Sequence, residues 1–105
     1  MKDSLQQFKA DLFKALAHPM RIRILEILRQ GERTVADIQS ELGVESSMVS
    51  QQLAILRMKQ IVGSRKAGTS VFYHVRDAQV YQILDAARQI FNSQLNELQS
   101  LVEQP

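Results

Sequence analysis

From Val80 the sequence carries Ile83, Leu84, Ala87, Ile90, Phe91, Leu95, Leu98, Leu101 and Val102, an apolar stripe at helical spacing that persists for more than three heptads. A chain of 105 residues has material for one modest core and not for two. A helix this long and this apolar on one side exceeds what such a core can cover, so part of it has to be hidden by something else. Asp77 stands where it can cap the start of this helix.

The remaining segments are short. Leu5, Phe8, Leu12, Phe13 and Leu16 recur at helical spacing behind Ser4, a candidate cap, and His18-Pro19 interrupts them. Pro19 suits the first turn of a second helix, and Ile22, Ile24, Leu25, Ile27 and Leu28 coat that helix so fully up to Gly31 that it should be buried. Thr34 with Asp37 three residues on has the form of a capping box with a shorter acid, opening a two-turn helix of Val35, Ile38 and Leu42 that Gly43 can close in a left-handed conformation. A fourth helix, Ser46 to about Lys59, places Val49, Leu53 and Leu56 on one side and Ser46, Ser47, Ser50, Gln51 and Arg57 largely elsewhere. Ile61 to Lys66 and Val71 to Val75 are β-branched and aromatic runs around Ala67-Gly68-Thr69-Ser70, the pattern of a hairpin. The fold class is therefore mainly α with a small β-hairpin, in one domain spanning residues 1–105 without repeat or linker. Hydrophobic residues at 45% and charged residues at 23% are globular values.

Charge adds a partner class. The chain carries 13 basic and 11 acidic side chains, and residues 1–45 hold seven of each. Residues 46–76 contain Arg57, Lys59, Arg65, Lys66 and Arg76 with no acid at all, so the positive excess is concentrated there. A local basic field suits a polyanion, although a solvated basic face has the same composition. Two short helices joined through Gly43, at 34–59, have the order and lengths of a helix-turn-helix, and the hairpin at 61–75 follows as a basic wing. The small hydrogen-bonding residues at the start of the second helix allow close approach to base edges. Ser47, Ser50 and Gln51 are assigned to the groove of double-stranded DNA, Ser46 and Arg57 to phosphates, Gln52 to the same helix surface, and Arg65 and Lys66 to flanking backbone or minor groove. Stacking of single-stranded nucleic acid on Phe72, Tyr73 and His74 is the weaker reading, because adjacent strand residues face opposite sides.

Phe13 to Leu25, with its Leu16-Ala17-His18-Pro19-Met20-Arg21 segment, then Val49-Ser50-Gln51-Gln52-Leu53 through Arg57, then Gly68 before Val71-Phe72-Tyr73, resembles the ArsR/SmtB family of bacterial winged-helix repressors across nearly the whole chain. The resemblance implies a winged helix-turn-helix homodimer on an inverted-repeat operator, released from DNA by an inducer. It also implies that the first and last helices, residues 1–17 and 77–104, form the subunit interface, for which Leu5, Phe8, Leu12, Leu84, Ala87, Phe91, Leu95 and Leu98 are the candidates.

The sensing chemistry of that family has little foothold here. With no cysteine there is no thiolate metal site, disulfide or cysteine nucleophile, and the stretch where arsenic- and cadmium-sensing members carry cysteines reads Glu32-Arg33-Thr34-Val35-Ala36-Asp37. The positions matching the zinc-type site of the last helix are Asp77, Gln79, Ile90 and Ser93, of which only the aspartate is an ordinary ligand. His18 reads as a cap or packing residue and His74 as a strand residue. No metal site and no cofactor is expected, and any small inducer is of unknown chemistry. No paired carboxylates at catalytic spacing, phosphate loop or nucleophile motif supports an enzyme. A metal-responsive repressor with an atypical oxygen- and nitrogen-ligand site, and a dimeric helical adaptor without specific DNA binding, stay open as alternatives. The N-terminus lacks an apolar leader and no run approaches a bilayer span, so a cytoplasmic location and no membrane partner are the expectation.

Overall fold

The computed structural model describes residues 3–103, which form α1 (Ser4–Leu16), α2 (Pro19–Leu28), α3 (Val35–Leu42), α4 (Ser46–Met58), β1 (Val62–Ala67), β2 (Ser70–Val75) and α5 (Val80–Glu103). The expected place of residues 1, 2 and 104 in the terminal helices lies outside the described residues. Most boundaries are set by their end residues. Ser4 is the first residue of α1 rather than its cap, since Asp3 occupies the cap position. His18 caps α2: its Nδ1 accepts from the Met20 N–H at 3.1 Å, and Pro19 follows where no donor is needed. Thr34 and Asp37 close the capping box of α3, each side chain accepting from the other's backbone N–H at 3.1 and 3.2 Å. Gly43 then ends α3 at φ 67°. At the end of α4 the Ile61 N–H reaches Leu56 O at 2.9 Å and the Gln60 N–H reaches Arg57 O at 3.0 Å, the paired bonds of a Schellman motif. Its left-handed position, φ 62°, is occupied by Gln60 where glycine is the usual resident.

The core gathers Ile24 and Leu25 of α2, Ile38 of α3, Val49, Leu53 and Leu56 of α4 and Val62 of β1 in full burial. As its coating suggests, α2 is central, with Ile27 and Leu28 also buried and Ile22 only half so. The hairpin pairs β1 with β2 from Val62 opposite Val75 to Ala67 opposite Ser70. Its turn is the two residues Gly68-Thr69, shorter than the four expected, with Gly68 at φ 62° in the first turn position as a II′ turn requires. Arg33 adds a single bridging residue on the other side of β2: its N–H donates to Tyr73 O at 3.2 Å and its carbonyl accepts from the Tyr73 N–H at 2.8 Å.

The protomer is extended. Its radius of gyration is 17.0 Å and its longest dimension 63 Å, whereas a compact chain of this length has a radius of about 13 Å. The cause is α5, in which Val80 and Tyr81 alone are buried while Ile83 and Leu84 pack half-buried against the core. The root of α5 is well fixed. The Tyr81 hydroxyl donates to Leu25 O, and burial pushes this phenol up to about 12 against the opposing pull of Arg29. Arg29 lies 4.8 Å from the centre of the Tyr81 ring and grips Asp85 with two hydrogen bonds of 2.6 and 2.9 Å. That pairing holds the Asp85 carboxyl below its usual range and the guanidinium above its own. No helix among the described residues is long and apolar enough to cross a membrane.

Candidate nucleic-acid interface

The α3–turn–α4 pair presents one helix N-terminus and one helix face. Glu45 occupies the N-cap of α4 in extended conformation and makes no capping hydrogen bond with its side chain. The leading N–H groups of α4 thus lack a side-chain acceptor, which favours an incoming anion. Val49, Gln52, Leu53 and Leu56 are buried, and their i, i+3, i+4, i+7 spacing fixes the opposite face as the exposed one. That face carries Ser47, Ser50, Gln51, Ala54 and Arg57, with Ser46 beside the first turn. From Ser47 to Arg57 it runs about 15 Å at the α-helical rise, comparable with the ~12 Å width of a DNA major groove. Among the described residues Ser46, Ser47, Ser50, Gln51, Arg57 and Lys66 find no side-chain hydrogen-bond or ion-pair partner. Their polar groups are therefore available to a partner.

Two of the sequence candidates are held differently from the rest. Gln52 points inward and is 9% exposed. Its Oε1 accepts from Arg21 Nη1 at 3.0 Å, while Arg21 Nε and Nη2 donate to the carbonyls of Ala15 and Lys14 at 2.6 and 3.3 Å. Gln52 is a joint between α4 and the end of α1, and burial removes it from the face that could meet a groove. Arg21, which sequence reasoning left without a role, is the centre of that joint. Arg65 is the second case. Its Nε donates to Glu32 Oε2 at 2.7 Å and its guanidinium lies 5.0 Å from the centre of the Phe72 ring. Residues 46–76 are free of acids in sequence, but the Arg33–Tyr73 bridge brings Glu32 back onto the wing. Lys66, next to the turn, stays exposed.

The candidates on α1 and α5 form a separate apolar surface. Leu5, Phe8, Ala87, Phe91, Leu95 and Leu98 are exposed, Phe8 by 65% and Leu98 by 59%, together with Phe13, Ile90, Leu101 and Val102. Leu12 and Leu84 differ: both are half-buried against the protomer's own core. A groove of about 1040 Å³ runs between the two helices, with Phe8, Leu12, Lys59, Gln60, Ile83 and Ala87 among the residues that line it. Among the described residues no three His, Asp or Glu side chains come together as a group that could hold a metal ion. His18 is spent on the α2 cap, Asp77 accepts from the Gln79 N–H at 2.9 Å, and His74 Nδ1 lies 3.9 Å from Glu32.

Comparison with known proteins agrees with this geometry. Residues 18–63 match the model of the bacterial regulatory protein, arsR family. An uncharacterized HTH-type transcriptional regulator of Mycobacterium tuberculosis is 37% identical over 102 residues, covering 96% of this chain and 90% of that one. Its crystal structure superposes with a TM-score of 0.79 over 90% of this chain and 95% of that one, at 39% identity. The biofilm growth-associated repressor of Xylella fastidiosa is 34% identical over 81% of this chain and 75% of its own. A homodimeric winged helix-turn-helix DNA-binding domain from Mycobacterium bovis, described as a possible ArsR-family regulator, has a TM-score of 0.80 at 29% identity, covering 91% of this chain and 89% of that one.

Proposed function

The chain belongs to the arsR family of bacterial regulatory proteins, DNA-binding transcriptional regulators with a winged helix-turn-helix, and on that premise we propose that it is a homodimeric repressor that binds an inverted-repeat operator and leaves it when a signal, whose chemistry is unassigned, favours the free form. The observation that carries the DNA reading is the exposed face of α4, where Ser47, Ser50, Gln51 and Arg57 stand without side-chain partners among the described residues, on a helix anchored by its opposite side. Ser50 and Gln51 are the proposed base contacts, Gln51 because its amide can give and take a hydrogen bond at an adenine edge. Ser46, Arg57 and Lys66 are the proposed backbone contacts, with Ser47 at the groove entrance.

The dimer reading is supported by surface area. The protomer exposes 7770 Å², whereas a folded monomer of its mass of 12.0 kDa exposes about 6,000 Å². The excess is more than the ~800 Å² per partner of an ordinary stable interface. Most of the large hydrophobic side chains left exposed lie on α1 and α5, and a second copy is the occupant that a self-complementary two-fold contact provides. Two reading helices related by that axis meet half-sites about one helical turn, or a multiple of it, apart.

Selection of bound fragments from genomic DNA, followed by titration of variants on the selected site and on random duplex, tests the whole reading. Gln51→Ala and Ser50→Ala are expected to lose about 1–3 kcal/mol on the selected site and little on random duplex. Lys66→Ala is expected to weaken both and to flatten the salt dependence. Recovery of a single unrepeated half-site would overturn the dimer geometry. An unchanged ratio of specific to random affinity in both α4 variants would move base readout elsewhere.

A further inference from the structure

On one face of the wing, strand pairing sets Arg65 opposite Phe72 and Gly63 opposite His74, and alternation along each strand puts all four on the same side. The Arg65 guanidinium lies against the Phe72 ring and bonds Glu32 Oε2, and the same oxygen stands 3.9 Å from His74 Nδ1. Gly63 makes room for that imidazole, because a Cβ there would come within 2.9 Å of His74 Nε2. Glu32 is fixed in place by its neighbour Arg33, which exchanges two backbone hydrogen bonds with Tyr73. One carboxylate is thus built into an otherwise cationic and aromatic face, with its charge turned to Arg65.

We propose that Glu32 is an autoinhibitory residue of the DNA interface: it occupies Arg65 off DNA, so a phosphate engages this part of the wing only by displacing the carboxylate, and affinity for duplex is held below what Arg65 alone would give. This rests on the wing being a DNA contact, as proposed above. The chemistry follows from charge. A phosphate approaching Arg65 on arbitrary duplex meets the Glu32 carboxylate as well, and the repulsion offsets the gain from the guanidinium and from released counterions. In a well-seated complex the phosphate is delivered at bonding distance and displaces the carboxylate, at the cost of the Arg65–Glu32 bond. Phe72 keeps the guanidinium in place throughout, so the exchange needs no new rotamer of Arg65.

The test is a double-mutant cycle of Glu32→Gln and Arg65→Ala, read by fluorescence anisotropy on random duplex and on the selected operator over a series of salt concentrations, with thermal melting to establish that each variant is folded. Glu32→Gln keeps the size of the side chain and removes its charge. It is expected to tighten binding to random duplex by roughly two- to fivefold per wing, to steepen the slope of log K against log salt there by about 0.9 for each added phosphate contact, and to tighten operator binding by at least as much, because the operator complex no longer forfeits the Arg65–Glu32 pair. In the Arg65→Ala background the gain on random duplex should fall to less than half as many log units. An equal gain in both backgrounds overturns the proposal, since it would be a general charge effect independent of Arg65, and so does a gain on random duplex with none on the operator. If Arg65→Ala weakens binding but Glu32→Gln changes nothing, this inference fails alone. If Arg65→Ala changes nothing this inference fails, and the reading of the wing as a DNA contact fails with it only if Lys66→Ala changes nothing either.

Discussion

Replacing Leu98 by alanine should separate the subunits while sparing the protomer. Leu98 lies in the part of α5 that leaves its own core, is 59% exposed and is absent from the hydrophobic cluster. Full burial of a leucine side chain stabilises by about 1.5–3 kcal/mol, so covering the exposed share contributes about 1–2 kcal/mol per copy. A two-fold interface contains the residue twice, which brings the loss on truncation to roughly 2–4 kcal/mol, or about 30- to 700-fold in the dimer dissociation constant. Leu84, although on the same stripe, is a poor site for this experiment because it packs on the protomer's own core and a charge there would damage the fold as well. Sedimentation velocity over a dilution series measures the constant, and far-ultraviolet circular dichroism at high concentration verifies that helix content is kept. A dissociation constant within threefold of wild type, with α5 intact, would refute the assignment of this surface to a subunit interface.

Gln60→Gly should stabilise the protein by about 1 kcal/mol, because the left-handed φ of 62° is strained for glutamine and free for glycine; an unchanged or lowered midpoint in urea would count against the strain. Tyr81, raised to about 12 by burial, should leave a stability contribution that is whole below pH 10 and lost as pH climbs toward 12, since the unfolded phenol ionises first. Absorbance titration should therefore show one of the tyrosines ionising late, and a late phase that survives Tyr81→Phe would assign it elsewhere.

Much of this architecture could be read from the chain because its signals are local. The His18-Pro19 joint, the Thr34–Asp37 capping box and Gly43 each act within four residues, and each appears where its spacing places it. Position 52 was legible too: it lies three residues after Val49 and four before Leu56, so it belongs to the buried stripe of α4 whatever its polarity. The partner that makes a buried glutamine tolerable, Arg21, is 31 residues away and leaves no mark in local spacing. The same holds for Glu32 and Arg65, 33 residues apart, joined by a bridge one residue long that has no period to detect. Charge counted along a sequence therefore misjudged the wing, where the acid arrives from outside the segment.

Arg21 has a mechanical consequence. It holds the last carbonyls of α1 with two of its nitrogens and Gln52 with a third, so a single rigid fork joins the helix that carries an exposed apolar stripe to the helix that carries the exposed polar face. Gln52 sits midway between Ser47 and Arg57, about 7.5 Å from each along the axis. It is the fulcrum of a short lever: a tilt of about ten degrees there swings either end by roughly 1 Å, more than the ~0.5 Å range over which a hydrogen bond stays well made. A shift of α1 that tilts α4 about this point by so little would thus be enough to move its ends, in opposite directions, out of bonding range.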